Sequence, residues 1–155
     1  MQRIKVAIVG GGYWGQNLIR NFWEVDECEL AFVCDLDPKA LARAQRRYPT
    51  AQVTRHFREL LDSPRVDAVV LATPVSTHYE FARQALLAGK HVLVEKPLAR
   101  STAEVLDLMD LAEKQRKLLM VDHTFLYTAA VRRVGVSLGS IGEELNPPRR
   151  VHDDH

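Results

Sequence analysis

The sequence is short of cysteine: Cys28 and Cys34 are the only two, and Cys34 falls in a stretch that reads as a buried strand. Two cysteines make no disulfide framework, and they are expected to be reduced packing residues rather than a disulfide or metal pair. Long apolar runs are missing as well. None approaches the roughly 20 residues of a membrane span, and the first residues run directly into a strand with no signal-peptide layout. A cytoplasmic location without membrane contact is therefore expected. Charge of one sign is absent too: 21 Lys and Arg face 20 Asp and Glu, for a formal net charge of +1. Mixed signs along the chain offer nucleic acid no basic field, so a small molecule is the expected partner. With 155 residues and 46% hydrophobic content, one substantial core fits and a second full domain does not.

What is present is organised around the opening stretch RIKVAIVGGGYWG. The β-branched Ile4, Val6, Ile8 and Val9 predict a strand buried on both faces, because neither side of the pleat is consistently polar. Three glycines follow, and then a period near 3.6 takes over, with Trp14, Leu18 and Phe22 spaced four apart beside Ile19 and Trp23. Strand, glycine turn and helix are the context that a phosphate-binding G-x-G-x-x-G requires. Gly10 permits the tight turn, Gly12 lets backbone approach a diphosphate, and Gly15 lets the helix lie close to the strand. A ligand's negative charge would meet the helix N-terminus, at Tyr13 and Trp14.

The acidic residue of such a site arrives on schedule. A second strand over residues 30–34 ends at Asp35, twenty positions after Gly15, where a carboxylate accepts hydrogen bonds from the adenosine ribose and repels a 2′-phosphate. NAD is favoured over NADP, with Asp37 adding to the repulsion and Lys39 partly offsetting it. Asp37-Pro38 also reads as a helix start, a capping acid before proline, and that suffices for Asp37. Leu41, Ala44 and Tyr48 predict one face of this helix, and Arg43, Arg46 and Arg47 a solvated basic face without function.

Further along, residues 52–54 predict a weak strand, 57–61 a short helix and 67–73 a central parallel strand. Thr73-Pro74 closes that strand, and Thr77 with Glu80 has capping-box spacing for the next helix. Ligands in open parallel sheets bind at the carboxyl ends of strands, so Thr73, Pro74 and His78 are candidates to line the site. Gly89 suits a left-handed helix end, and residues 91–94 predict a fifth strand closing on Glu95-Lys96-Pro97. Two opposite charges locked by proline make poor strand and poor core residues, and a surface ion pair worth about 0 to 1 kcal/mol does not explain their place at this edge. Ser101 and Glu104 form another capping box, Val105, Leu108, Met109 and Ala112 a helical stripe, and residues 118–121 a sixth strand before His123 and a helix over 127–134.

The segments VAIVGGGYWG, VCDLD, LATPVSTHYEFARQALLAGKHVLVEKPLA and LMVDHTFLY, in order across residues 3–134, resemble the N-terminal domain of the Gfo/Idh/MocA oxidoreductases, in the branch acting on sugars or sugar nucleotides. The resemblance implies a Rossmann-like α/β fold over 1–134, a doubly wound parallel sheet in the order 3-2-1-4-5-6. It implies that Lys96 is the catalytic residue contacting the reacting hydroxyl, that Glu95 holds the nicotinamide ribose, and that Pro97 fixes their geometry. Oxidising a sugar carbinol sends hydride to the nicotinamide and requires a proton to leave the hydroxyl. A neighbouring positive charge and partial burial would both make a lysine a better base near neutrality.

The family pattern continues into a second α/β domain that supplies most substrate contacts and the usual oligomer interface. Gly139-Ser140-Ile141-Gly142 resembles its entry, yet EELNPPRRVHDDH follows, with two prolines, dense charge and no alternation. Residues 135–155 are expected to be an irregular tail, with no metal assigned to His152 and His155. Two readings remain: a nicotinamide-dependent sugar dehydrogenase completed by a partner chain, or a truncated module that binds NAD without turnover. An S-adenosylmethionine enzyme shares the glycine loop and the acid but has no use for Glu95-Lys96-Pro97. Weak self-association is expected through the face where a second domain would pack.

Overall fold

The computed structural model describes residues 3–123. Apolar runs and 3.6-residue stripes alternate along them, and strands and helices follow suit: β1 (Ile4–Val9), α1 (Tyr13–Glu24), β2 (Cys28–Cys34), α2 (Pro38–Arg47), β3 (Gln52–Thr54), α3 (Phe57–Asp62), β4 (Ala68–Leu71), α4 (Val75–Leu87), β5 (His91–Glu95), α5 (Thr102–Gln115) and β6 (Leu119–Asp122). Each strand pair is parallel, in the order β3-β2-β1-β4-β5-β6. This is the expected doubly wound, Rossmann-like sheet. The expected helix over 127–134, the tail over 135–155 and its histidines lie outside the described residues. No described helix is long and apolar enough to cross a membrane.

The continuous apolar strands serve two cores. Val6 and Ile8 of β1 pack with Leu18, Ile19, Leu41, Ala44 and Tyr48, under α1 and α2. Their neighbours Ala7 and Val9 face the other way, joining Leu60, Leu86 and Leu108 of α3, α4 and α5. In β2 the alternation is broken: Val6 pairs Leu30 but Ala7 pairs Phe32, so Ala31 is an extra residue in the ladder. That bulge is why Leu30 and Val33, three apart, share one core.

Helix ends follow their local chemistry with instructive exceptions. Asp37 caps α2 by accepting from the Lys39 N–H at 2.9 Å, ahead of Pro38. Ser101 caps α5 through the Glu104 N–H, while Glu104 reaches back one residue further than a reciprocal box, to the Arg100 N–H. Gly89 takes φ +73° after α4, with the Gly89 and Lys90 N–H groups on the Leu86 and Ala85 carbonyls. The Thr77–Glu80 box does not form. Because α4 already begins at Val75, the Thr77 hydroxyl lies inside the first turn and donates to Pro74 O, and it is 2.7 Å from Thr73 Oγ1.

Two stripes also shift. Gly15, Leu18 and Ile19 are the buried residues of α1, whereas Trp14 and Trp23 stay outside the core, 45% and 39% exposed. On α5, Leu108 and Ala112 are buried and Met109 is exposed. In each helix the core takes a narrower arc than the run of apolar residues. Gly15 belongs to that arc for lack of a side chain: a Cβ there would sit 1.9 Å from the Gly10 carbonyl oxygen. Gly15→Ala is expected to cost about 3 kcal/mol or more, measured by denaturant unfolding, and an unchanged midpoint would show that the α1–β1 approach is not tight.

Candidate functional site

Parallel strands deliver their carboxyl ends to one edge, so the loops after β1, β2, β4 and β5 meet there. Gly10 turns the chain at φ +98°, where a side chain would strike the Ala72 backbone. Its N–H donates to Cys34 O, and the next N–H, of Gly11, donates to Asp35 Oδ2. The other Asp35 oxygen accepts from the Asp37 N–H at 2.7 Å. Asp35 thus holds the glycine loop as well as ending β2, and each oxygen retains a second lone pair for a ligand. Gly12 opens α1 without a side-chain cap, and a Cβ there would meet nothing within 4 Å. Open space lies where a diphosphate would approach the first-turn amides.

A cleft of about 410 Å³ runs along this edge, lined by Gly10, Gly12, Asp35, Thr73, Pro74 and Thr77 and walled by Leu36, Arg55, Phe57 and Phe81. The rings of Phe57 and Phe81 stack with centroids 4.5 Å apart. Arg55, Phe57 and Phe81 are additions to the sequence-level site; their signal was only their place after β3 and on the helices facing it. Arg43 is a further addition. Read from sequence as solvated and functionless, it donates from Nη2 to Gly11 O at 3.1 Å.

Residues 4–123 match the family model described as "Oxidoreductase family, NAD-binding Rossmann fold". The chain belongs to the Gfo/Idh/MocA oxidoreductases. It is 35% identical over 133 residues to glycosyl hydrolase family 109 protein 2 of Shewanella sp. (strain ANA-3), covering 79% of this chain and 29% of that protein. It is 30% identical over 156 residues to levoglucosan dehydrogenase of Pseudarthrobacter phenanthrenivorans, covering 94% of this chain and 40% of that enzyme. Among solved structures, GenD2 from gentamicin A biosynthesis, in complex with NAD, superposes with a TM-score of 0.81 at 34% identity, covering 86% of this chain and 38% of that one. The chain thus spans well under half the length of each. As a member of the family it is an NAD-binding Rossmann domain.

Glu95, Lys96 and Pro97, at and after the end of β5, are unevenly exposed. Lys96 is exposed, so the described residues do not supply the partial burial expected of it. The Lys96–Pro97 peptide is cis. Glu95 is half-buried, and its Oε1 is enclosed without a hydrogen-bond partner. Burial, first, and the Asp122 carboxylate paired opposite it on β6, second, push the Glu95 carboxyl above the usual carboxylate range; the Trp14 indole and the Lys96 N–H act against them. Asp122 was not among the sequence-level candidates, and only the β5–β6 register brings it beside Glu95. Of the two first-turn aromatics, Tyr13 is exposed and Trp14 reaches Glu95.

His78 does not line the cleft as expected. Its ring is 1% exposed, with Nδ1 2.8 Å from Pro97 O and Nε2 2.8 Å from Thr73 O. Neither nitrogen is left for a ligand. Cys34 is equally withdrawn: burial, then Asp35 and Glu59, push its thiol up to about 11. Among the described residues no group of three or more His, Cys, Asp or Glu is placed to hold a metal.

Because the folded Glu95 carboxyl binds its proton more tightly than an unfolded one, its contribution to stability declines as pH rises past the ordinary carboxylate value of about 4.3. Glu95→Gln, which removes the ionisation and gives Asp122 a donor, is expected to stabilise the ligand-free chain at pH 7 by about 1 kcal/mol. The gain should fade towards pH 4. Thermal unfolding at both pH values checks this, and a destabilised variant at pH 7 would refute it.

Proposed function

We propose that this chain forms the dinucleotide-binding part of an oxidoreductase that moves hydride between NAD and a sugar or sugar-nucleotide hydroxyl. The reading is carried by one convergence: the uncapped α1 N-terminus, the Asp35 carboxylate and the Glu95-Lys96 pair all stand at the carboxyl ends of strands in one parallel sheet. Family membership supports NAD, and two relatives bear names from sugar chemistry, a glycosyl hydrolase and a dehydrogenase of levoglucosan.

In this reading the diphosphate rests on amides of the first turn of α1, from Gly12 through Tyr13 and Trp14, where the helix dipole favours negative charge. Asp35 accepts from the adenosine ribose and repels a 2′-phosphate, which favours NAD over NADP. The apolar wall with Phe57 and Phe81 takes the adenine, Thr73 and Pro74 border the diphosphate, and the Glu95 carboxylate accepts from the nicotinamide ribose. The nicotinamide, when bound, supplies the hydride acceptor. Lys96 takes the proton from the sugar hydroxyl as oxidation proceeds, and in the reverse direction its ammonium donates to the developing alkoxide. Substrate orientation needs contacts that one exposed lysine does not provide, so the 155-residue chain alone is expected to bind NAD with little turnover.

The test is titration of NADH fluorescence, with turnover assayed on sugars and sugar nucleotides. Asp35→Ala should weaken NADH about tenfold or more, since it removes a charge-assisted hydrogen bond to ribose and frees the Gly11 amide, and should narrow the preference over NADPH. Gly12→Ala should lower affinity comparably while changing stability by less than about 1 kcal/mol. Lys96→Ala should leave NADH affinity within about threefold, because its work is on the substrate. No NADH binding by the unaltered chain would end the proposal, and robust turnover by the isolated chain would overturn the expectation of an incomplete catalyst.

A further inference from the structure

A single ring connects two of the loops at the sheet edge. His78 lies in the second turn of α4, its ring 1% exposed, and its two nitrogens face two carbonyls from different loops. Thr73 O follows β4 and borders the cleft; Pro97 O follows β5 and adjoins Lys96. Among the described residues, neither carbonyl accepts a backbone N–H in the loops, turns and caps. The imidazole is therefore the side chain that each of them faces.

The flanking geometry gives this contact a direction. On its Thr73 side the loop is already tied: Thr77 Oγ1 is 2.7 Å from Thr73 Oγ1, and the Ala72 N–H donates to Val9 O. On its Pro97 side, Lys96 and Pro97 are exposed, past the last ladder pair of β5 at Glu95 and Asp122. The nearest bond is the long 3.3 Å contact of the Lys96 N–H with Glu95 Oε2. The better-anchored side is the support and the Pro97 side is what it supports.

We propose that His78 is a positioning residue for Lys96: through a hydrogen on Nδ1 it holds the Pro97 carbonyl to the top of α4, and so fixes where the lysine stands relative to the cleft. The inference rests on the proposed role of Lys96 beside bound dinucleotide. A neutral ring has one N–H, and the Nδ1 hydrogen is the one this role needs; hydrogen on both nitrogens would satisfy both carbonyls. The sequence carried a signal for the residue but for another reason, since a histidine at a strand's carboxyl end reads first as a ligand contact.

Two side chains separate the contacts. An asparagine amide nitrogen falls near the position of imidazole Nδ1, and a glutamine amide nitrogen near Nε2. His78→Asn therefore keeps the bond to Pro97 O, and His78→Gln keeps only the bond to Thr73 O. The readout is the carbon-13 signal of Lys96 Cε, assigned by its disappearance in Lys96→Ala, and its displacement when NAD is added to the full chain. In the unaltered chain and in His78→Asn the displacement should be present; in His78→Gln it should be lost, with NADH affinity in both variants within about threefold of the original. Equal displacement in His78→Gln, or equal loss in the two variants, would overturn the proposal. Nitrogen-15 spectra of the unaltered chain give a test that needs no variant to fold. Hydrogen on Nδ1 of His78 is the expected result, and a bare Nδ1 would overturn it. Absence of NADH binding by the unaltered chain would instead sink the functional reading, which keeps the two failures apart.

Discussion

The structure depends on a contact that only a missing side chain allows. The first turn of α1 lies so close to the end of β1 that Gly15 meets the Gly10 carbonyl, and Gly10 in turn occupies a left-handed conformation against the Ala72 backbone. Strand, turn and helix are thereby pressed into one unit. The loop between them is held from two sides: Asp35 and Cys34 of the β2 end take the Gly11 and Gly10 N–H groups, and Arg43 of α2 donates to the Gly11 carbonyl. A loop fixed this way presents its amides without waiting for a ligand to order them, which lowers the entropic cost of binding. Asp35 takes part in both events, as a brace for the loop and as the proposed acceptor for ribose. Those two roles are compatible because a carboxylate has more lone pairs than the two backbone amides use.

Topology does the rest of the assembly. In a parallel sheet every strand ends on the same edge, so the four loops that matter come from positions as distant as Gly10 and Lys96 without any long excursion of the chain. The polarity of that edge is mixed: α1 brings the positive end of its dipole, Asp35 and Glu95 bring negative charge, and Lys96 stands exposed between sheet and solvent. A dinucleotide has the complementary sequence of charges, a diphosphate flanked by two hydroxyl-bearing sugars.

Local chemistry made much of this legible before any coordinates. The buried strands, the glycine turn, the cap at Asp37, the Gly89 helix end and the α2 face of Leu41, Ala44 and Tyr48 each follow from short-range rules, and the structure has them. Contacts between distant segments lie beyond those rules. Trp14 and Met109 fit a 3.6-residue period yet are exposed, because the period marks a stripe and the neighbouring sheet decides how much of it is covered. Thr77 and Glu80 have capping-box spacing, but α4 starts two residues before Thr77. Arg43 looked like any arginine of a charged face, and nothing local says that Gly11 O lies within its reach. His78 has a sequence position that points to the ligand edge, while its burial turns both ring nitrogens to backbone carbonyls.

The pairing of Glu95 with Asp122 shows how such a site is sustained against its own instability. Two carboxylates face each other across β5 and β6, and one oxygen is enclosed with no donor. A structure selected only for stability would place an amide or an apolar residue there, since an unpaired buried acceptor and a like-charge neighbour both work against folding. The arrangement makes sense where a donor comes from outside. In the proposed complex a ribose hydroxyl that donates to Glu95 favours its ionised form, so a carboxyl that is unfavourable in the free chain becomes a source of affinity once the ligand is bound.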